Sequence, residues 1–139
     1  MSESTDITEI RTAVRQLCAQ YGEDYWLELD RTRGYPTEFV SELTKSGFLT
    51  VLIPENYGGA GLGVYEASVI MEEVCRSGAH AGACHAQMYV MGSVLRHGSD
   101  AQKQKYLPAI VFWNEHRQEA RFGQLADKLS GVASSAIEF

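Results

Sequence analysis

This 139-residue chain has few cations and no long apolar run. Its 12 Lys and Arg residues stand against 18 Asp and Glu, giving a net charge of -6. That balance argues against a nucleic-acid surface, because phosphate contacts need clustered cations. No stretch approaches the roughly 18 apolar residues of a membrane span. The start, Met1-Ser2-Glu3, is polar and acidic, so we expect no signal peptide and a cytoplasmic protein.

Cysteines are also scarce. Cys18, Cys75 and Cys84 are odd in number and show no C-x-x-C spacing, so neither a disulfide framework nor a zinc site is indicated. Buried free thiols are the simpler interpretation. What is present is an ordinary globular composition, with 45% hydrophobic and 22% charged residues, and a length that fits one domain.

The chain is organised around the stretch from Ile53 to Gly63, where an apolar run ends on a proline and passes through four glycines. Because the residue before a proline avoids the helical region, we expect the run from Phe48 to Ile53 to reach Pro54 in an extended backbone conformation. Glycines allow positive φ or close backbone approach, so the loop should sit against another part of the fold. A dinucleotide-binding turn is disfavoured, since G-x-G-x-x-G begun at Gly59 or Gly61 does not end on glycine.

Two helices are predicted before this loop. The first has an apolar residue at alternating steps of three and four, with Asp6 as its cap and Glu9 near its positive end. Its apolar stripe is Ile7, Ile10, Val14, Leu17 and Tyr21. The second begins near Pro36 and ends at Gly47 as a left-handed cap. Between them the pattern from residue 22 to residue 34 is mixed, and this segment either extends the first helix or packs as a loop.

Helical spacing resumes after the loop. The third predicted helix closes at Gly78, and its neighbours Glu72 and Glu73 should face different directions, as a solvated edge rather than an acid/base pair. The fifth begins with a capping box of Ser99 and Gln102 and is interrupted by Pro108.

The fourth predicted helix, from about residue 79 to residue 97, differs from the others. It carries small residues on several faces and almost no bulky polar surface, so we expect it to be the central helix, packed on several sides. Its core stripe is Cys84, Met88, Met91 and Leu95.

Several linked motifs together resemble the N-terminal helical domain of acyl-CoA dehydrogenases. They are Tyr35-Pro36-x-Glu38-Phe39 to Gly47-Phe48, the stretch Ile53-Pro54-Glu55-x-Tyr57-Gly58-Gly59-x-Gly61-Leu62-Gly63, Glu72-Glu73, and Gly98-Ser99-x-x-Gln102-Lys103-x-x-Tyr106-Leu107-Pro108. The resemblance covers roughly residues 7 to 110 in the family's order. It implies an all-α fold, a five- or six-helix orthogonal bundle.

The resemblance also implies a chemistry. Members of the family use FAD to oxidise acyl-CoA thioesters to the α,β-enoyl form, and an electron-transfer flavoprotein usually accepts the electrons. A carboxylate takes the α-proton while a hydride passes to the flavin. In the family the fourth helix helps line the acyl-chain pocket, which puts Ala81, His85 and Tyr89 in substrate contact. Without the resemblance, His85 and Tyr89 would more often be core residues.

The chain departs from the family pattern at Val111. The motifs of the FAD-binding β-domain and of the base-bearing C-terminal bundle are missing, so we divide the chain into a family-like domain, residues 1–110, and a divergent tail, residues 111–139. Apolar spacing over residues 115 to 136 predicts one amphipathic helix in that tail.

Two hypotheses follow from this departure. The chain is either the N-terminal part of a flavin-dependent acyl-CoA dehydrogenase, inactive alone, or a non-catalytic helical interaction module that forms a homo-oligomer or binds a partner chain. Neither hypothesis assigns a catalytic residue or a metal ligand to this chain.

Overall fold

The computed structural model describes residues 7–111, and all the regular secondary structure within them is helical. Its six α-helices are α1 (Ile7–Cys18), α2 (Glu23–Thr32), α3 (Thr37–Lys45), α4 (Val64–Arg76), α5 (Ala81–His97) and α6 (Asp100–Val111). Two 3-10 turns, Phe48–Thr50 and Glu55–Tyr57, lie between α3 and α4. The predicted all-α class is confirmed. The predicted cap at Asp6 and the helix at 115 to 136 lie outside the described residues.

The core forms where α1 packs along α4. The predicted stripe of α1 is buried at Ile10, Val14 and Leu17. The matching face of α4 buries Ala67, Val69, Ile70 and Val74. Because burying one large aliphatic side chain contributes about 1.5–3 kcal/mol, this pairing of two amphipathic helices is a main source of the fold's stability.

Three predicted helix ends are confirmed. Gly47 and Gly78, each the second residue after its helix, adopt left-handed φ values of 81° and 80° at the ends of α3 and α4. At the start of α6, the Ser99 N–H donates to Gln102 Oε1 at 2.8 Å, and the Gln102 N–H donates to Ser99 Oγ at 3.3 Å. This reciprocal pair satisfies two backbone donors that a helix start leaves without partners.

The mixed segment from residue 22 to residue 34 forms a helix of its own. No residue of α2 is fully buried, so burial alone does not explain it. Its anchor is a set of edge-to-face aromatic contacts, in which Tyr25 and Trp26 pack against Tyr21 and Phe39 with ring centroids about 5 Å apart. The Trp26 indole N–H also donates to the Tyr21 carbonyl at 3.0 Å.

Two expectations based on proline were wrong. The run before Pro54 is not extended, because a 3-10 turn forms over Phe48–Thr50 and the Ile53 N–H donates to the Thr50 carbonyl at 3.0 Å. Proline restricts only the residue before it, and local hydrogen bonds decide the rest. Pro108 does not end α6, which continues to Val111. Burial of Leu107 and Ile110 on either side of the proline offsets the missing hydrogen bond.

The glycine-rich loop does press against the core, as predicted. A side chain at Gly59 would collide with buried Ile53, its Cβ lying 2.6 Å from that residue's carbonyl carbon. Two backbone bonds close the loop on the same segment: the Gly61 N–H donates to the Ile53 carbonyl at 2.8 Å, and the Leu62 N–H donates to the Val51 carbonyl at 2.7 Å. Glycine at position 59 therefore allows the loop to lie directly on the chain that leads into it.

Candidate functional site

The helix α5 has one buried side and one open side. Ala83, Cys84, Met88 and Met91 are buried, whereas Leu95 is only half-buried. The opposite side is exposed along Gly82, His85, Ala86, Tyr89 and Ser93. The expectation that α5 is packed on several sides holds in part, because α5 contacts α4, α6 and the 3-10 turn Phe48–Thr50 among the described residues. It does not hold for the side that carries Gly82 and Ala86, which is exposed.

The predicted site residues His85 and Tyr89 lie together on this open face. They are one helical turn apart, and their rings stack with centroids 6.3 Å apart and an angle of 30° between planes. Tyr89 is 66% exposed. Among residues 7–111, no hydrogen bond engages the His85 ring or the Tyr89 hydroxyl. The alternative of a buried core histidine and tyrosine is contradicted, because both side chains are presented outward.

Ala81 occupies the edge of the same face. It is the first residue of α5 and is half-buried against the core. Its small side chain leaves space beside His85, which lies one turn further along. The three predicted residues thus form one stripe that runs up the outer face of α5, and its role in substrate binding stays a prediction.

The acidic pair on α4 behaves differently from the prediction. Glu73 is fully buried, so it is not part of a solvated edge, although Glu72 is half-exposed. The Glu73 carboxylate accepts from Arg11 Nη1 at 2.5 Å, from Arg15 Nε at 2.6 Å and from Arg15 Nη2 at 3.0 Å. The sequence offered one signal for this cluster: Arg11 and Arg15 are four residues apart, so they share one face of α1 beside its apolar stripe.

These arginines determine the chemistry of Glu73. Hydrogen bonds from Arg15 and Arg11 stabilise the ionised form and outweigh the effect of burial, lowering the pKa of Glu73 from 4.5 to about 2. A carboxylate with so low a pKa is a poor general base at neutral pH. The cluster therefore joins α1 to α4, and it offers no proton acceptor for catalysis.

A cavity of about 640 Å³ lies beside this cluster. Arg15, Trp26, Glu73 and Arg76 contribute to its lining, and none of the three α5 residues does. Arg15 is bonded to Glu73, and Arg76 Nη2 donates to Glu72 Oε1 at 2.7 Å. Both arginines among the described lining residues are therefore paired with a carboxylate.

The thiols agree in part with the prediction. Cys18 and Cys84 are buried, whereas Cys75 is exposed. Burial raises the pKa of the Cys84 thiol to about 12, which makes it an inert core group.

Among the described residues, no cluster of His, Cys, Asp and Glu could hold a metal ion. None of the helices described between residues 7 and 111 is long and apolar enough to span a membrane.

Comparison with known proteins assigns the chain to a family. Residues 4–112 match the family model described as "Acyl-CoA dehydrogenase, N-terminal domain". The chain belongs to the acyl-CoA dehydrogenase family. The matched range includes the glycine-rich loop, the acidic pair of α4 and the whole of α5, and the resemblance read from the sequence is confirmed.

Individual relatives agree with this assignment. The chain is 37% identical over 110 residues to the acyl-CoA dehydrogenase FadE12 of Mycobacterium tuberculosis, an alignment that covers 78% of the chain and 28% of the relative. It is 32% identical over 119 residues to the mitochondrial isovaleryl-CoA dehydrogenase of Pongo abelii, covering 76% of the chain and 27% of that protein. The chain thus spans little more than a quarter of these acyl-CoA dehydrogenases.

Proposed function

We propose that this chain is the N-terminal part of a flavin-dependent acyl-CoA dehydrogenase and contributes acyl-pocket residues to it. In this proposal residues 1–110 form the family domain, and residues 111–139 are a divergent tail. FAD, bound mainly by other parts of the enzyme, accepts the hydride from the β-carbon of an acyl-CoA thioester. An electron-transfer flavoprotein takes the electrons onward.

The open face of α5 is the observation that carries this proposal. A helix whose exposed side carries Gly82, Ala86 and two rings without a hydrogen bond to residues 7–111 leaves surface that another element or a ligand can cover. In the proposal, an acyl chain lies along Ala81, His85 and Tyr89, with the remaining parts of the enzyme closing the other side of the pocket.

The chain alone should be inactive. The reaction needs a carboxylate that accepts the α-proton, and the buried carboxylate among the described residues, Glu73, is held by Arg11 and Arg15 in a strongly acidic state. The base and most of the flavin contacts therefore come from another polypeptide or from the remainder of a longer one.

A second candidate function is a non-catalytic helical module that self-associates or binds a partner chain. The large apolar side chains left exposed favour it: Val64 is 72% exposed, Tyr65 65% and Tyr89 66%. Such surface is typical of interaction sites. In this alternative the α5 face is a protein contact rather than part of a pocket.

Titration of the purified chain with FAD, and then with a series of acyl-CoA thioesters, tests these proposals. Flavin absorbance and fluorescence report FAD binding, and a thermal melt run in parallel reports ligand stabilisation. We expect weak or no FAD binding, no turnover, and perturbation of the α5 face by acyl-CoA. Turnover by the chain alone would contradict the proposal that the base and most of the flavin contacts come from elsewhere. A stable dimer whose α5 face does not respond to acyl-CoA would favour the module.

A further inference from the structure

We propose that His85 and Tyr89 select acyl chains that carry a hydrogen-bonding oxygen near their far end. The proposal rests on the proposed function, because it assigns a substrate class to the same α5 face. What distinguishes this face is that two polar rings stand together among the small residues Gly82, Ala86 and Ser93, with their centroids 6.3 Å apart and their polar ring atoms unbonded among residues 7–111.

The hydrogen-bonding capacity of the two rings is the first step of the argument. An imidazole offers at least one N–H donor, and a phenol offers one O–H donor and an acceptor oxygen. While the face is open to water, these groups are solvated. When an acyl chain covers the face, they lose water, and a polar group left without a partner costs free energy.

The chemical difference between acyl chains is the second step. A saturated chain has no group that can hydrogen-bond to the His85 ring or the Tyr89 hydroxyl, so its binding includes the full cost of desolvating them. A chain ending in a hydroxyl replaces the lost water with a new hydrogen bond. A site built to hydrogen-bond its ligand discriminates strongly against the analogue that lacks the polar group, whereas an apolar pocket discriminates weakly.

The surrounding residues give the third step. On the helical wheel, Gly82 and Ala86 lie between the rings and the far edge of the exposed face, and Ala81 lies on the other side. None of these side chains extends beyond a methyl group, so the two rings are the tallest groups along this part of α5. A chain end that lies on the face therefore meets them before it meets any other polar side chain of α5's middle turns.

The test uses two pantetheine thioesters of equal length, heptanoyl and 6-hydroxyhexanoyl, which differ by a terminal methyl in place of a hydroxyl. Each is titrated to millimolar concentration into the full 139-residue chain, and NMR follows the His85 and Tyr89 ring signals. Because none of the described residues covers the face, the ligands can reach it without another domain. One net hydrogen bond corresponds to a preference of roughly threefold to tenfold for the hydroxylated thioester.

Two variants show whether the rings cause the preference. Tyr89→Phe keeps the ring and removes only the exposed hydroxyl, and His85→Phe removes the ring nitrogens. Either change should reduce the preference, and both together should abolish it. Tyr65→Phe is the matched control, since Tyr65 is 65% exposed and lies on α4, and it should leave the preference unchanged. Thermal melts establish that each variant is folded.

The outcomes separate this proposal from the proposed function. If both thioesters shift the α5 signals and heptanoyl binds equally well or better, the selectivity is refuted and the pocket role stands. A preference that survives the double variant also refutes it. If neither thioester shifts the α5 signals at millimolar concentration, the pocket role itself fails, and the selectivity fails with it.

Discussion

Replacing Gly59 with alanine should destabilise the domain strongly, because the glycine-rich loop lies directly on Ile53. The new Cβ would stand 2.6 Å from the Ile53 carbonyl carbon, whereas ordinary contacts begin near 3.4 Å. The obstacle is backbone, which cannot rotate away as a flexible side chain can. The loop must therefore lift from the segment beneath it.

The size of the effect follows from what the lifted loop loses. The Gly61 and Leu62 amides give up their bonds to the Ile53 and Val51 carbonyls, and two such bonds contribute about 1 kcal/mol each. Ile53, fully buried in the native domain, becomes partly exposed, at a cost of about 1 kcal/mol. Together these losses lower the free energy of unfolding by about 3 kcal/mol, which should lower Tm by roughly 10–20 °C for a domain of this size.

Gly92→Ala is the matched control for this experiment. Gly92 lies within α5, and a Cβ there meets no described atom within 4 Å. Alanine favours a helix interior by about 1 kcal/mol over glycine, so this variant should melt a few degrees higher than the native chain. Thermal unfolding followed by circular dichroism measures both variants. If Gly59→Ala and the native chain have the same Tm, the claim that the loop packs too closely on Ile53 to admit a side chain is refuted.

Two further predictions concern buried groups. Since the folded pKa of Glu73 is about 2, below its ordinary 4.5, its ion pairs stabilise the fold fully above pH 4.5 and are lost as pH falls towards 2. Tm should fall across that window in the native chain, and less in Glu73→Gln, which starts lower. Iodoacetamide at pH 8 should modify exposed Cys75 quickly, while buried Cys18 and Cys84 react only after unfolding, as mass spectrometry of the modified peptides would show.

Each of these predictions has a comparison of its own. Glu72→Gln should change the acid profile less than Glu73→Gln, because Glu72 is half-exposed and its ion pairs are screened by water. An acid profile of Glu73→Gln identical to that of the native chain would contradict the role given to the Arg11–Arg15–Glu73 cluster. Modification of Cys84 as fast as that of Cys75 would show that the core around α5 opens readily.

Local signals in the sequence predicted much of the fold. Gly47, Gly78 and the Ser99–Gln102 pair determine their helix ends through bonds or φ values within a few residues, so their patterns can be read directly. Pro108 misled because the burial of Leu107 and Ile110, about 3–6 kcal/mol for two large aliphatic side chains, offsets a local penalty of about 3 kcal/mol. Tertiary packing overrides local preference wherever it contributes more free energy.

The candidate site was predictable in composition but not in orientation. Spacing places Ala81, His85 and Tyr89 on one stripe and the family resemblance implies its role, yet whether the stripe points inward depends on which side of α5 meets the other helices. Glu73 shows the same limit, because its partners Arg11 and Arg15 are 62 and 58 residues away in the sequence. A helical pattern indicates which residues share a face and leaves open what that face meets.

The pairing of α1 with α4 has a consequence for synthesis on the ribosome. The apolar stripe of α1 is made early, but its partner helix follows only after some 58 further residues, the separation between Arg15 and Glu73. At translation rates of about 5–20 residues per second, that delay amounts to roughly 3–12 s. During this interval the nascent α1 lacks its main packing partner, α4, beside Ile10, Val14 and Leu17. We therefore expect this first helix to be the part of the nascent chain that depends most on chaperone protection.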